Sequence, residues 1–309
     1  MRKHSFLGIS HLVSPERGGR AARLMLCAFT VELLLIWFGG VDRAAAQALS
    51  YSFTSFDAPG ATATAINAIN DSGRMVGQYT DSSGLQHGFV LQGTTFKTLD
   101  VTGAAYTYAW GINNGGAVVG YYLTSSGVEH GFLYQNGQFT EIAYPTAVQT
   151  GVYGINETGD MVGEYWDNTK TLHGFLLSGG VYSSIDFPGA TWTQALGITN
   201  KGEIVGIYYD TKRREHGFRF KNGGYISFDI PGAFGTATEK INDHKDICGI
   251  YTDAAGVVHG FVYVQKIITT VDFPGVTDTR TRGLNSTDEI VGRYTDTGGV
   301  IHGYFAMPQ

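Results

Sequence analysis

The sequence predicts an all-β fold: a six-bladed β-propeller with four antiparallel strands per blade, its last blade closed by the N-terminal strand. Three observations predict it. His-Gly-Phe stands at His87, His130, His173, His216 and His259, and His-Gly-Tyr at His302, every interval being 43 residues. Within each copy, turn residues separate four short runs of strand-forming residues. The first copy is preceded by a lone strand and the last copy stops one strand short, which is the arithmetic of a closed ring.

The elements follow in order. Residues 1–48 read as a cleavable signal peptide. Arg2, Lys3, Arg17, Arg20 and Arg23 precede an apolar run from Leu24 to Gly40, and Ala44-Ala45-Ala46-Gln47-Ala48 offers small-residue cleavage sites. A retained membrane anchor is the alternative, but that run is short of the ~20 residues of a span and contains Glu32. Residues 49–309 form the propeller. They carry 15 basic and 24 acidic side chains, a net charge near −9 that argues against nucleic acid as a partner. Cys248 is the one cysteine of this part, so no internal disulfide forms and stability must come from burial.

The lone strand is Tyr51–Phe56, a strand d ahead of the first Asp57-x-Pro-Gly. In the first full copy strand a covers about 63–70, b about 74–80, c about 85–92 and d about 95–101. Asp71-Ser72-Gly73, Asp81-Ser82-Ser83-Gly84 and Gly93-Thr94 supply the turns. Asn136-Gly137 and Asn222-Gly223 mark two of the c–d hairpins. Strands a to c of the last copy end at Ala306, so the N-terminal strand is expected to complete that blade and remove its exposed edge.

Hairpin register exposes a pairing. Counting outward from the two-residue c–d turns sets His87 against Asp100, His173 against Asp186, His216 against Asp229 and His259 against Asp272. His302 meets Asp57 across the closure, while His130 meets Ala143 and its pair is broken. Opposed side chains lie ~5 Å apart, which suits a hydrogen bond that pins each hairpin. Equivalent histidines on a third strand stand too far apart to share a metal ion, so no metal and no cofactor is expected. Gly77 and Gly88 are expected to leave a hollow filled by an aromatic of the neighbouring blade, of the Tyr79 or Phe89 class. Cys248 occupies a valine column and reads as a buried, inert thiol. Asn70, Asn113, Asn156, Asn242 and Asn285 read as turn residues rather than calcium ligands, because no dense Asp-x-Asp-x-Asp-Gly loop is present.

Gly111-Ile-Asn113, Gly202-Glu-Ile-Val-Gly206 and His130-Gly-Phe-Leu-Tyr134 together resemble the HAF-type extracellular repeats, named for a His-Ala-Phe tripeptide. The resemblance spans about residues 50–309, with glycine in place of the alanine in all six copies. It implies bacterial export and brings no catalytic residues.

Residues kept in every copy build the scaffold, so a ligand site is sought where the copies differ. The d–a and b–c loops share one face. The d–a side offers Tyr106, Trp110, Tyr153, Trp192, Glu239, Arg280 and Arg282; the b–c side offers Trp166, Tyr209, Arg213 and Arg214. Trp110, Glu239 and Arg282 share a column on the innermost strand. Aromatics beside arginines suit a saccharide or a peptide. The sequence thus describes an exported, monomeric, non-catalytic binding or scaffolding propeller with an extracellular or periplasmic ligand. The alternative, a polysaccharide hydrolase or lyase, needs two carboxylates at the channel mouth, where Glu239 is the evident acid.

Overall fold

The computed structural model describes residues 48–309; the expected signal peptide lies outside them apart from its final residue. Twenty-four strands follow one another. Strand β1 is Tyr51–Phe56. Repeat 1 holds β2 (Ala63–Ile69), β3 (Arg74–Thr80), β4 (Gln86–Gln92) and β5 (Thr95–Leu99). Repeat 2 holds β6 (Tyr106–Ile112), β7 (Val118–Leu123), β8 (Glu129–Gln135) and β9 (Gln138–Ile142). Repeat 3 holds β10 (Gln149–Ile155), β11 (Met161–Trp166), β12 (Leu172–Ser178) and β13 (Val181–Ile185). Repeat 4 holds β14 (Trp192–Ile198), β15 (Ile204–Tyr209), β16 (Glu215–Lys221) and β17 (Gly224–Phe228). Repeat 5 holds β18 (Gly235–Ile241), β19 (Ile247–Thr252), β20 (Val258–Val264) and β21 (Ile267–Val271). Repeat 6 ends the chain with β22 (Asp278–Leu284), β23 (Ile290–Thr295) and β24 (Ile301–Pro308).

The strands form a propeller of antiparallel four-stranded units in a ring. Repeats 1 to 4 each make a separate sheet in the order a-b-c-d. Strands β18 to β24 together with β1 make one eight-stranded sheet of two antiparallel halves, joined by a single parallel bridge between Val258 and Asp278. Four separate sheets and a double one therefore stand where the sequence predicts six equal blades. Strand β1 runs antiparallel to β24 from Tyr51 opposite Pro308 to Phe56 opposite Gly303. First and last segments thus share one sheet, as their truncated repeats require. Strand a of every repeat lines the central channel.

The His-Gly-Phe tripeptide resolves into three physical tasks. The aromatic is the core: Phe89, Phe132, Phe175, Phe218, Phe261 and Tyr304 are all fully buried, and each contributes about 1.5–3 kcal/mol by leaving water. The glycine admits the next repeat. A Cβ on Gly88 would lie 2.6 Å from the Leu99 carbonyl oxygen and 3.3 Å from Thr107. The histidine pins the c–d hairpin, its Nδ1 donating to Asp100 at 2.7 Å, Asp186 at 3.1 Å, Asp229 at 3.0 Å, Asp272 at 2.9 Å and, across the closure, Asp57 at 2.9 Å.

Two expectations need correction. His130 is not unpaired: with Ala143 opposite, its Nδ1 reaches Glu141, one pleat inward on strand d, at 3.1 Å. Gly77 and Gly88 do not share a hollow. Gly77 lies opposite Phe89 and Gly88 opposite Gln78, and alternation of the pleat puts the two glycines on opposite faces. The space over the Gly77 class is taken by the same repeat's own aromatic, as where Phe175 stands 2.7 Å from a Cβ built on Gly163. Tyr79-class rings stack on the histidines instead, at 5.0 Å for Tyr79 on His87 and 4.9 Å for Tyr251 on His259. Cys248 is fully buried, and burial pushes its thiol pKa well up.

Candidate functional site

The channel has two mouths. The lower one, at the a–b turns, repeats a single device. Asn70 Oδ1 accepts the Ser72 and Arg74 amides at 3.1 and 2.9 Å, an Asx turn, while its Nδ2 donates to the Asn113 carbonyl at 3.1 Å. Asn113 reaches Asn156, Asn156 reaches Thr199, Asn242 reaches Asn285 and Asn285 returns to Asn70. Thr199 keeps the turn by accepting the Glu203 amide at 3.0 Å, but has no amide to offer Asn242. Just above this ring the channel narrows to a cavity of about 80 Å³ walled by strand-a residues, five of them glycine or alanine where repeat 5 places Lys240. Lys240 donates to the Leu196 carbonyl at 2.9 Å, and burial lowers its pKa to about 8.

The upper mouth repeats a backbone device but varies its side chains. Every strand a carries a β-bulge, between Ile66 and Ala68 in repeat 1 and at the matching place in the others. The extra residues are Asn67, Trp110, Tyr153, Leu196, Glu239 and Arg282, no two alike. A bulge turns its residue away from the regular alternation, and here it gives each repeat one side chain for the mouth. The predicted column of Trp110, Glu239 and Arg282 is this set. Trp110 and Arg282 meet, the guanidinium lying 4.7 Å from the indole centre. Arg282 Nη1 also donates to Asn67 Oδ1 at 3.1 Å. Glu239 is buried beside Lys240 and Arg282.

Strand b and the start of strand c add residues that loop-centred reading of the sequence misses: Tyr121, Glu129, Glu164, Glu215 and Arg293. Tyr153 donates to Glu164 Oε1 at 3.1 Å and Gln194 donates to the other oxygen. Burial raises the Glu164 pKa to about 6 against those hydrogen bonds. Glu129 is pushed to about 8 by burial and by the charge of Glu164, so it holds its proton at neutral pH. Glu239 is therefore one of four acids at this mouth. The signal was available, since glutamate stands in these columns beside glutamine, leucine, valine, isoleucine and arginine in the other copies.

Other predicted residues separate into smaller groups. Trp192 stacks on Tyr209 at 4.0 Å, and Tyr209 donates to Glu215 at 3.0 Å. Arg280 is held by Asp278 at 2.9 Å. Tyr106 lies half-buried opposite Leu123, and Trp166 half-buried between Gln149 and Leu172. Arg213 and Arg214 are exposed on the b–c loop of repeat 4, where Arg214 and Glu215 border a groove beside Phe234.

Four of the five buried side-chain atoms without a hydrogen-bond partner among the described residues belong to the upper mouth: Trp110 Nε1, Glu129 Oε1, Arg282 Nε and Arg293 Nε. Trp110 Nε1 lies near the Tyr121 hydroxyl without hydrogen-bond geometry. Buried polar groups are normally satisfied, so their concentration at one place marks a surface shaped for something else. Among the described residues no three His, Cys, Asp or Glu side chains gather to hold a metal ion, and no helix is long and apolar enough to cross a membrane.

No family model matches the chain, and no curated protein matches it. Solved structures do. A mutant of AofleA from Arthrobotrys oligospora shares 15% identity at a TM-score of 0.52, over 83% of this chain and 86% of that one. The Aleuria aurantia lectin AAL in complex with Fucalpha1-6GlcNAc shares 10% at 0.50, over 78% and 91%. TolB from Acinetobacter baumannii shares 12% at 0.54, over 76% and 63%. At these identities the likeness is one of fold.

Proposed function

We propose that this chain is an exported six-bladed β-propeller that binds a saccharide at its upper mouth without transforming it. In this reading each half of the eight-stranded sheet counts as a blade, and residues 1–48 are the leader removed on export. The HAF-type resemblance and the net charge near −9 of the remainder support that placement. A ring closed by β1 leaves no long free edge to recruit a second chain, which supports a monomer. One observation carries the binding role: the bulge gives six different side chains to one mouth, while scaffold positions repeat around the ring. Flat aromatics with unpartnered donors beside them suit the apolar faces and hydroxyls of sugar rings. The saccharide assignment rests on these side chains and not on the distant likeness to a lectin.

The test is a glycan array probed with the purified protein and with Trp192→Ala and Arg282→Ala. Binding above background that either substitution cuts tenfold supports the reading; an empty array ends it. A second reading, hydrolysis or elimination on a polysaccharide, is favoured by Glu129 and Glu164, the first holding its proton at neutral pH and the second mostly ionised there. Release of new chain ends from the bound glycan, lost in Glu129→Gln, would establish it. Unchanged glycan after prolonged incubation would retire it.

A further inference from the structure

Between repeats 6, 1 and 2 the upper mouth deepens into a recess of about 270 Å³. Its origin is legible in the columns. Where repeats 2, 4 and 6 place Tyr106 and Tyr108, Trp192 and Gln194, or Asp278 and Arg280, repeat 1 has Ala63 and Ala65. The two small side chains leave room that those residues fill; repeats 3 and 5 have Gly151 and Gly235 in these columns, and there Glu129 and Glu215 stand over the glycine instead. Its lining is cationic at Arg282 and Arg293 and aromatic at Trp110, whose ring carries the Arg282 guanidinium, and at the stacked pair Tyr108 and Tyr121, 4.7 Å apart. No acidic residue lines the recess.

The two guanidiniums are in an unusual state. Neither has a carboxylate within 4 Å among the described residues, and the Nε of each is buried without an acceptor. Burial together with the neighbouring arginines lowers the Arg293 pKa to about 10. Arg282 is held in place by Asn67 and the face of Trp110; the charge of Glu239 acts on it from beyond ion-pair distance and offsets only part of the cost of its burial. Buried charges in proteins are ordinarily paired, because an unpaired one forfeits its hydration. A cationic wall left unpaired in a recess is compensated when an anion enters.

We propose that this recess seats the carboxylate of an acidic sugar, a uronate unit, between Arg282 and Arg293. The proposal rests on the saccharide reading of the mouth and names the class of sugar. A planar carboxylate matches the guanidinium fork, which donates paired hydrogen bonds to its two oxygens. The aromatic rings offer a flat apolar surface to the sugar, and Gln78 and Gln86 on the rim offer amides to its hydroxyls. The volume is just under the ~300 Å³ at which pockets for larger ligands begin, the scale of one ring.

The experiment is calorimetric titration of the purified protein with oligogalacturonate, oligoalginate and hyaluronate fragments, each beside its carboxyl-reduced, neutral counterpart. The expected result is at least tenfold tighter binding of one acidic form than of its reduced partner. Arg293→Gln should remove that preference, so that acidic and reduced forms bind the variant within twofold of one another. Arg293→Lys should restore only part of it, and the preference should shrink with added salt. If acidic and reduced forms bind alike, the uronate seat is wrong while the saccharide reading stands. If none of them binds, the uronate seat is wrong, and the glycan array decides the broader reading separately. A peptide with a free C-terminal carboxylate that binds with the same dependence on Arg293, where uronates do not, overturns the sugar assignment.

Discussion

The two mouths of the channel are built from the same strands, yet one spends its side chains on the ring and the other does not. At the lower mouth Asn70, Asn113, Asn156, Asn242 and Asn285 each close a turn and reach the next repeat. At the upper mouth the bulge residues run asparagine, tryptophan, tyrosine, leucine, glutamate, arginine. A side chain with an obligation to its neighbour must be the same in every copy. One freed by a bulge can differ, and six copies then supply six chemistries to one place. Internal repetition thus separates positions that hold the fold from positions free to serve a ligand.

Four experiments break or sharpen that contrast. Deleting residues 48–57 removes β1 and leaves β24 paired only with β23, its outer edge bare; the cooperative urea transition followed by circular dichroism should be lost. An unchanged transition would mean that the closing strand is dispensable. Phe175→Ala empties a fully buried ring site and should cost about 3–5 kcal/mol. Trp192→Ala at the upper mouth should cost no more than about 1.5 kcal/mol, the scale of an aromatic pair. Equal costs would erase the distinction between scaffold and mouth. Thr199→Asn supplies the missing amide of the lower ring and should stabilise by about 0.5–1 kcal/mol, one net hydrogen bond; a loss of stability would show that the break is built in.

The smallest effect is a pH dependence. In His302 burial lowers the pKa, but the hydrogen bonds and charges of Asp57 and Asp296 outweigh it and the value is raised; in His87, Asp100 and Asp81 do the same. A raised folded-state pKa favours the protonated ring in the native protein. Its stabilisation is complete below about 6.5 and is lost as pH climbs through the raised value. Asp57→Asn should therefore cost about 0.2–1 kcal/mol near pH 6, the range of exposed ion pairs, with the difference from the parent fading at higher pH. At the acid end Asp81 and Asp296 act oppositely. Backbone hydrogen bonds from the b–c loop hold their pKa values down, so their contribution is present above about 3.9 and falls away below it. A difference that grows with pH would contradict the assigned pairing.

Much of this was legible because the period is strict. Loop length alone set four histidines against four aspartates, and the strict period carried the fifth pair, His302 and Asp57, across the closure. The same count failed at His130, where register names the residue directly opposite but not a longer side chain one pleat away, Glu141. It failed again for Gly77 and Gly88, since a shared neighbourhood in two strands does not say which face each residue takes. Glu129, Glu164 and Arg293 were missed for another reason. They sit on strands b and c, where alternation suggests ordinary sheet positions. The bulge has no strong local signature, because its residue type differs in every copy.

Sharing one sheet between the two ends has a consequence for how the molecule is made. Asp57 and His302 are 245 positions apart, and at a synthesis rate of ~5–20 residues per second the first strand waits roughly 12–50 s for its partner. During that wait Tyr51-Ser-Phe-Thr-Ser-Phe56, an alternating aromatic run with no charge and no proline, is a sticky edge of the kind that seeds aggregation. Termination anywhere before β24 would leave that edge bare for good, since Ile301–Pro308 is the strand that covers it.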